Sequence, residues 1–147
     1  MNPSLIQEIG GAVAKELLST GIAWTFAPTI TVPQNDLWGR TYEGYSENPE
    51  LVAQLGQAMI LGLQGEGDSY LDSNHVLSTA KHFIGDGGTL NGEDQGNTVI
   101  SESELKNIHG LPYYSAIDSC IQTIMASFNS WNGSKLHGNK YLLTDVL

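Results

Sequence analysis

The stretch Thr79–Ala80–Lys81–His82–Phe83–Ile84–Gly85–Asp86–Gly87–Gly88–Thr89 decides how the rest of the chain is read. The short apolar run from Val76 to Ala80 has the character of a buried strand. It ends in a cation, an imidazole and an aromatic ring, then in a glycine-rich turn carrying one carboxylate. Charged groups at the mouth of a buried strand are costly unless something pairs with them. In a parallel α/β barrel that mouth is where ligands bind, so Lys81 and His82 read as substrate contacts. Gly85, Gly87 and Gly88 would let backbone approach a ligand or take positive φ in a tight loop. The competing reading is a satisfied Lys–His pair on the surface beside a flexible turn.

Upstream, Asn2–Pro3 and Asn48–Pro49 both have the form of a helix start, Asn as N-cap and Pro at the first helical position. Ile6, Ile9, Val13 and Leu17 follow the first start at helical spacing, and Val52, Leu55, Met59 and Leu63 follow the second. Gly21 and Gly65 close the two segments. Between them, Ile22 to Ala27 reads as a buried strand stopped by Pro28, and a long polar loop runs from Gln34 to Tyr45. Loops of that length in a compact domain are usually functional. Downstream of the glycine turn lies a second polar loop, Asn91 to Asn97. Ser101 and Glu104 form a capping box, and Pro112 divides the following helix into a piece ending near His109 and another over Pro112 to Asp118. Ile121 to Phe128 is a third apolar strand, ending in the polar cluster Asn129–Ser130–Trp131–Asn132–Gly133. A last helix starts near Tyr141.

Strands alternating with helices predict right-handed crossovers and a parallel sheet. Each of the three expected strands is followed by its polar cluster, which places Arg40, Lys81–His82 and Trp131–Asn132 at one end of that sheet. Three parallel strands would leave two open edges, and the stripe Leu142, Leu143, Val146 and Leu147 has no cap after it. The expectation is an incomplete portion of a larger barrel.

The 147 residues have the length of one ordinary domain. A hydrophobic share of 40% with 15% charged residues is that of a globular chain. No apolar run approaches the roughly 20 residues that a bilayer-spanning helix needs, and no signal-peptide pattern follows Met1. Six Lys and Arg against sixteen Asp and Glu give a net charge of −10, which argues against nucleic-acid or anionic-membrane surfaces and suits a neutral ligand. The single cysteine, Cys120, excludes a disulfide within the chain and reads as a small buried hydrophobe. His75, His109 and His137 read as surface or packing histidines.

Several clusters together resemble family 3 of the glycoside hydrolases, which includes many β-glucosidases and exo-glucanases. They are Phe26–Ala27–Pro28, Asp36–Leu37–Trp38–Gly39–Arg40–Thr41–Tyr42–Glu43–Gly44–Tyr45, Lys81 to Thr89, and Met125–Ala126–Ser127–Phe128 through Ser130–Trp131–Asn132–Gly133. Leu142 to Leu147 also resembles that family's helix leading to its next strand. The resemblance implies an α/β fold, a partial (β/α)8 TIM-type barrel in which residues 1–147 form an incomplete central portion of the N-terminal barrel domain.

The resemblance further implies that Arg40, Lys81 and His82 hydrogen-bond the hydroxyls of one terminal sugar. Arg contributes a rigid fork of donors and Lys three rotatable ones. Two cations near each other need counter-charge, for which Glu43, Asp86 and Asp94 are candidates, Glu43 first because it lies three residues from Arg40. Trp131 and Leu136 are expected to line the pocket. A retaining glycosidase needs two carboxyl groups about 5 Å apart. In the family the nucleophilic Asp ends a strand after the helix at which this chain stops, and Asp145 does not occupy that place. The acid/base carboxyl of the β-glucosidase type comes from a later domain, so no catalytic carboxyl is expected here and the chain alone should be inactive.

The implied partners are a β-linked glucoside or oligosaccharide, the remainder of the barrel and a second domain, without metal or cofactor and in a secreted or periplasmic enzyme. The β-N-acetylhexosaminidase branch carries a Pro and a second His where Ile84 and Asp86 stand, which favours the glucosidase branch. Two other readings stay open: a non-catalytic carbohydrate-binding module using the Arg–Lys–His cluster, and a phosphate-binding domain using the Gly85–Gly88 turn. The second lacks any Gly-x-Gly-x-x-Gly or Walker pattern.

Overall fold

A computed structural model describes all 147 residues. The elements in chain order are α1 (Pro3–Ser19), α2 (Pro49–Gln64), β1 (Thr79–Phe83), β2 (Asn97–Thr98), α3 (Glu102–Glu104), α4 (Leu111–Asp118), β3 (Thr123–Ala126), β4 (Ser130–Trp131) and β5 (Ser134–Lys135). A π-helical segment, Leu105–Gly110, fuses α3 to α4, and another covers Tyr141–Val146.

Both long helices start by the device their sequence announces. The Asn2 side chain accepts from Ser4 N–H at 3.1 Å, and that of Asn48 from Leu51 N–H at 2.7 Å. Each satisfies a donor left unpaired in a first helical turn. The face that α1 presents to α2 differs from the expected stripe. Its fully buried residues are small, Gly10 and Ala14, while Ile9 remains 42% exposed. The helices approach too closely for larger residues: a methyl group on Gly62 would lie 2.2 Å from the Gln7 carbonyl oxygen and 2.9 Å from Gly10 Cα. On α2, Val52, Leu55 and Leu63 are fully buried as expected, with Met59 partly so.

β1 and β3 pair in parallel, Thr79 opposite Thr123 and Lys81 opposite Met125, with a register shift between Lys81 and Phe83. Both lie within or beside the apolar runs read as strands, although β1 begins three residues later than Val76 and includes Lys81 and His82. The expected buried strand Ile22–Ala27 is a correction. That segment is extended and runs parallel to Leu77 and the start of β1, through an isolated bridge from Trp24 to Leu77 and, past Pro28, another from Thr29 to Lys81. Backbone bonds run from Thr25 N–H to the Leu77 carbonyl and from Thr79 N–H to the Ala27 carbonyl, both at 2.8 Å. Ile22, Trp24 and Phe26 are 44%, 52% and 54% exposed. Pro28 does not stop it: without an N–H it donates nothing, but its carbonyl accepts from Lys81 N–H at 3.1 Å and the chain runs on to bury Ile30 and Val32. The sheet is open and no closed barrel forms.

A second small sheet, β2–β4–β5, joins Asn97–Thr98 in parallel to Ser130–Trp131, which turns antiparallel into Ser134–Lys135. The turn is Asn132–Gly133, both at positive φ, a pairing favoured in two-residue hairpins. The main core gathers Ile30, Val32, Val52, Ile60, Ala80, Phe83, Ile84, Leu105, Tyr113, Ala116, Leu136 and Leu142 beneath the two sheets. Cys120 corrects another expectation, being exposed in the α4–β3 turn, where its carbonyl accepts from Gln64 Nε2 and the Tyr70 hydroxyl. No helix is long and apolar enough to cross a membrane.

Candidate functional site

The site is assembled from three segments that end on one side of the β1–β3 sheet. Arg40 comes from the long loop before α2, Lys81 and His82 from β1, and Asp86 from the turn after it. Arg40 and Glu43 sit at either end of a single 3-10 turn, Thr41–Glu43, so their side chains emerge on the same side. Arg40 Nε donates to Glu43 Oε1 at 2.6 Å and Nη2 to Glu43 Oε2 at 2.8 Å, a bidentate pair. The Thr29 hydroxyl also donates to Oε2 at 3.4 Å. Thr29 bridges to Lys81 across the sheet, which puts Lys81 beside the same carboxylate.

His82 closes the arrangement. Its Nε2 lies 3.1 Å from Arg40 Nη2 and its Nδ1 2.8 Å from Asp86 Oδ2. Thr31 donates through its hydroxyl to Asp86 Oδ1 at 2.9 Å and accepts from the His82 backbone N–H at 3.3 Å. Asp86 is 7% exposed and His82 9%, so the carboxylate has given up most of its water for these partners.

The Arg40 hydrogen bonds hold the Glu43 carboxyl below its ordinary range against the opposing effect of burial, helped by the charges of Arg40 and Lys81. The reciprocal bond from Glu43 raises the Arg40 guanidinium, again against burial. A cleft of about 230 Å³ opens here, lined by Arg40, His82, Asp86, Asp94, Met125 and Phe128 among others. A separate cleft of about 270 Å³ beside Tyr113 and Leu142 is hydrophobic at nine of its twelve lining residues and holds no such cluster.

The structure thus brings Arg40, Lys81, His82, Glu43 and Asp86 together, with Asp94 on the cleft rim. It does not bring Trp131 or Leu136. Trp131 packs against the main core and its Nε1 donates to the Ile100 carbonyl at 3.0 Å. Leu136 is wholly buried in that core and is not among the residues lining the Arg40–His82 cleft. Asp86 pairs with His82, not with either cation. The glycine turn faces its own chain: a methyl on Gly87 would lie 2.7 Å from Thr31 Cγ2 and the Val32 carbonyl oxygen, and one on Gly88 2.5 Å from His109 Nε2. Only Gly85 needs its positive φ, +88°. His109 is buried, His75 pairs with Asp72 at 2.7 Å, and His137 stacks on Phe128 with ring centroids 4.5 Å apart.

Sequence reasoning passes over Thr31 and Thr29. Their one visible signal is that Thr31 interrupts the apolar pair Ile30 and Val32 as a hydroxyl at a buried position. Asn129 stands out in the sequence only as part of a polar cluster. It is wholly buried, donates to Thr98 Oγ1 at 2.9 Å and accepts from the Ser127 hydroxyl, while Thr98 donates to the Gly85 carbonyl at 2.7 Å. This network ties the glycine turn to the end of β3.

Known proteins share this fold. The solved exo-1,3/1,4-β-glucanase of a Pseudoalteromonas species superposes with a TM-score of 0.98 at 54% identity, covering 99% of this chain and 18% of that one. The β-glucosidase of Listeria innocua, solved with laminaribiose and with glucose, gives 0.93 at 27% identity over 99% of this chain and 20% of its own. A β-xylosidase of Formosa agariphila is 35% identical over 99% of this chain and 20% of its own length. A periplasmic β-glucosidase of Salmonella typhimurium is 30% identical over 99% of this chain and 19% of its own length. The chain therefore spans about a fifth of the length of the curated relatives it matches. The family model described as the glycosyl hydrolase family 3 N terminal domain matches residues 1–147, and the chain belongs to that family.

Proposed function

We propose that this chain supplies one wall of the terminal-sugar pocket in an exo-acting, retaining β-glycosidase of the β-glucosidase or exo-glucanase class. In this reading the segment Ala23–Ile30, β1 and β3 act as three neighbouring parallel strands of a partial (β/α)8 barrel, completed by the rest of a longer enzyme.

One observation carries the proposal. Arg40 spends its Nε–H and both Nη2–H groups on Glu43 and His82, which leaves the two Nη1 donors free at a cleft. Lys81 beside it is half-buried and makes no ion pair, so its three ammonium donors are also available. Donors held rigid by an internal counter-charge, at a cleft wall, suit the vicinal hydroxyls of a neutral sugar. Glu43 serves as the orienting anion, and the two catalytic carboxyls come from segments outside this chain.

The test is turnover of an aryl β-glucoside. The full-length enzyme should hydrolyse it, and Lys81→Ala should lower kcat/KM in that enzyme. Residues 1–147 alone should not turn it over. Turnover by the purified 147-residue chain, abolished by replacing one of its own carboxylates, would overturn this assignment of roles.

A further inference from the structure

The hydrogen bonds around His82 fix more than its position. A guanidinium can only donate, so the contact from Arg40 Nη2 requires a lone pair on His82 Nε2. The proton of the neutral ring must then sit on Nδ1, which faces Asp86 Oδ2 at 2.8 Å and donates to it. Asp86 is itself held: its Oδ1 and Oδ2 accept from the Thr31 hydroxyl at 2.9 and 3.2 Å, and Thr31 Oγ1 in turn accepts from the His82 backbone N–H. Each contact in this chain has one donor and one acceptor, and moving the ring proton to Nε2 would set two donors together at Arg40 and two acceptors together at Asp86. His82, Asp86 and Thr31 are all at most 9% exposed, so water offers no easy substitute.

From this we infer that Asp86, steadied by Thr31, is a positioning residue that locks His82 as its Nδ1–H tautomer. The ring then meets a bound sugar only as a hydrogen-bond acceptor. The inference rests on the proposed sugar-pocket reading and makes it specific. Where a sugar hydroxyl lies against Nε2, it takes over the lone pair that Arg40 Nη2 uses in the sugar-free protein: the hydroxyl donates to His82, while its oxygen accepts the released Arg40 Nη2–H or a Lys81 N–H. A single hydroxyl gripped in both senses is distinguished from any group that can only accept. Asp86 touches no substrate in this scheme and acts through the imidazole.

Two measurements on the full-length enzyme test it. In the first, the 15N shifts of His82 are read in the sugar-free protein. The native enzyme should show a protonated Nδ1 and an unprotonated Nε2. Asp86→Ala should move the ring toward the Nε2–H form, and Thr31→Val should do so less while Thr31→Ser restores the native signature. A native ring protonated on Nε2, or one unmoved by Asp86→Ala, overturns the inference. A merely structural Asp86 would lower the melting temperature without changing those shifts.

In the second measurement, kcat/KM is compared for aryl glucosides whose hydroxyls are replaced one at a time by hydrogen or by fluorine. Fluorine accepts weakly but cannot donate. At the position facing His82 the fluoro substrate, although it can still accept from Arg40 or Lys81, should therefore lose about 10- to 100-fold against the hydroxyl, and the deoxy substrate at least as much. The penalty at that position should shrink in His82→Ala. A fluoro substrate that keeps most of the hydroxyl's activity where the deoxy one fails would show that this hydroxyl need not donate, and would overturn the acceptor role of the ring. If the sugar-pocket reading itself were wrong, no position would respond to His82→Ala while the tautomer signature stayed intact, so the two failures are distinguishable.

Discussion

Arg40 and His82 lie 42 residues apart in sequence, yet Arg40 Nη2 and His82 Nε2 meet at 3.1 Å. That contact fastens the long loop before α2 to the end of β1 and joins the Arg40–Glu43 ion pair and the His82–Asp86 hydrogen bond into one chain. Most of the segments concerned are loops, which are normally the mobile part of an α/β domain. Here a loop arginine is held at three of its N–H groups, so its two remaining donors point from a fixed fork. Binding a sugar to such a fork costs little further ordering.

Replacing Arg40 by Lys in the full-length enzyme separates the fork from its charge. Lys cannot span both Glu43 oxygens and His82 while still presenting donors in a plane. Losing a preorganised, charge-assisted contact in a dry site costs about 2–4 kcal/mol, by analogy with an oxyanion donor. The expected loss in kcat/KM is about 30- to 1000-fold for Arg40→Ala, and most of it should persist in Arg40→Lys. Full activity of the Lys variant would mean that Arg40 supplies charge alone.

Legibility in the sequence follows the range of the interaction. The caps at Asn2 and Asn48 and the Arg40–Glu43 pair act over two or three residues, and each can be read directly. The face of a strand is set by its neighbours, so Trp24 and Phe26 have the look of core residues although they lie 52% and 54% exposed. Ile30 and Val32, behind Pro28, are the residues that the core uses. Thr31 and Asp86 are 55 residues apart, and no local pattern announces their bond. Family likeness makes Leu136 a pocket wall, but packing against Leu142 and the rest of the core determines its position.

Glu43→Gln should alter acid stability in a defined window. Its carboxyl lies below the ordinary range in the folded state, chiefly through the hydrogen bonds from Arg40. A carboxyl depressed by folding stabilises fully above its unfolded pKa of about 4.3 and loses that contribution as pH falls through the lower folded value. The Arg40 side chain is 34% exposed, so solvent screening limits the pair to about 0.5–1 kcal/mol. Melting temperature measured from pH 6 downward should fall less steeply in Glu43→Gln than in the parent below about pH 4.3. Parallel curves would remove the pair from the acid response.

The α1–α2 contact gives a paired test with opposite signs. Gly62→Ala places a methyl 2.2 Å from the Gln7 carbonyl oxygen, and both neighbours are backbone, so the helices must separate. A loss of about 1–3 kcal/mol is expected. Gly11→Ala meets nothing nearer than 3.7 Å and gains helix propensity, so it should stabilise by up to about 1 kcal/mol. Thermal melts of the two variants check this, and a neutral Gly62→Ala would show that α1 is not held at this distance.

His109 makes the last prediction, because burial lowers its pKa to about 4. The desolvation penalty on the imidazolium dominates, and the attraction of Asp86 for the proton opposes it without winning. Its Nδ1 is buried with no hydrogen-bond partner, and its Nε2 abuts Gly88, so no carboxylate hydrogen-bonds the ring and the attraction of Asp86 offsets the charge only in part. In the unfolded chain the same ring protonates at about 6.5. The unfolded state therefore binds the extra proton first, and stability is complete above about pH 6.5 and declines as pH falls toward about 4. The decline over that window is on the order of 3 kcal/mol. Melting temperature followed from pH 7.5 to 4.5 should drop in the parent, and His109→Asn should flatten the curve while being less stable at pH 7.5. An unchanged slope in the variant would assign the acid sensitivity to other groups and place the protonation of His109 outside this range.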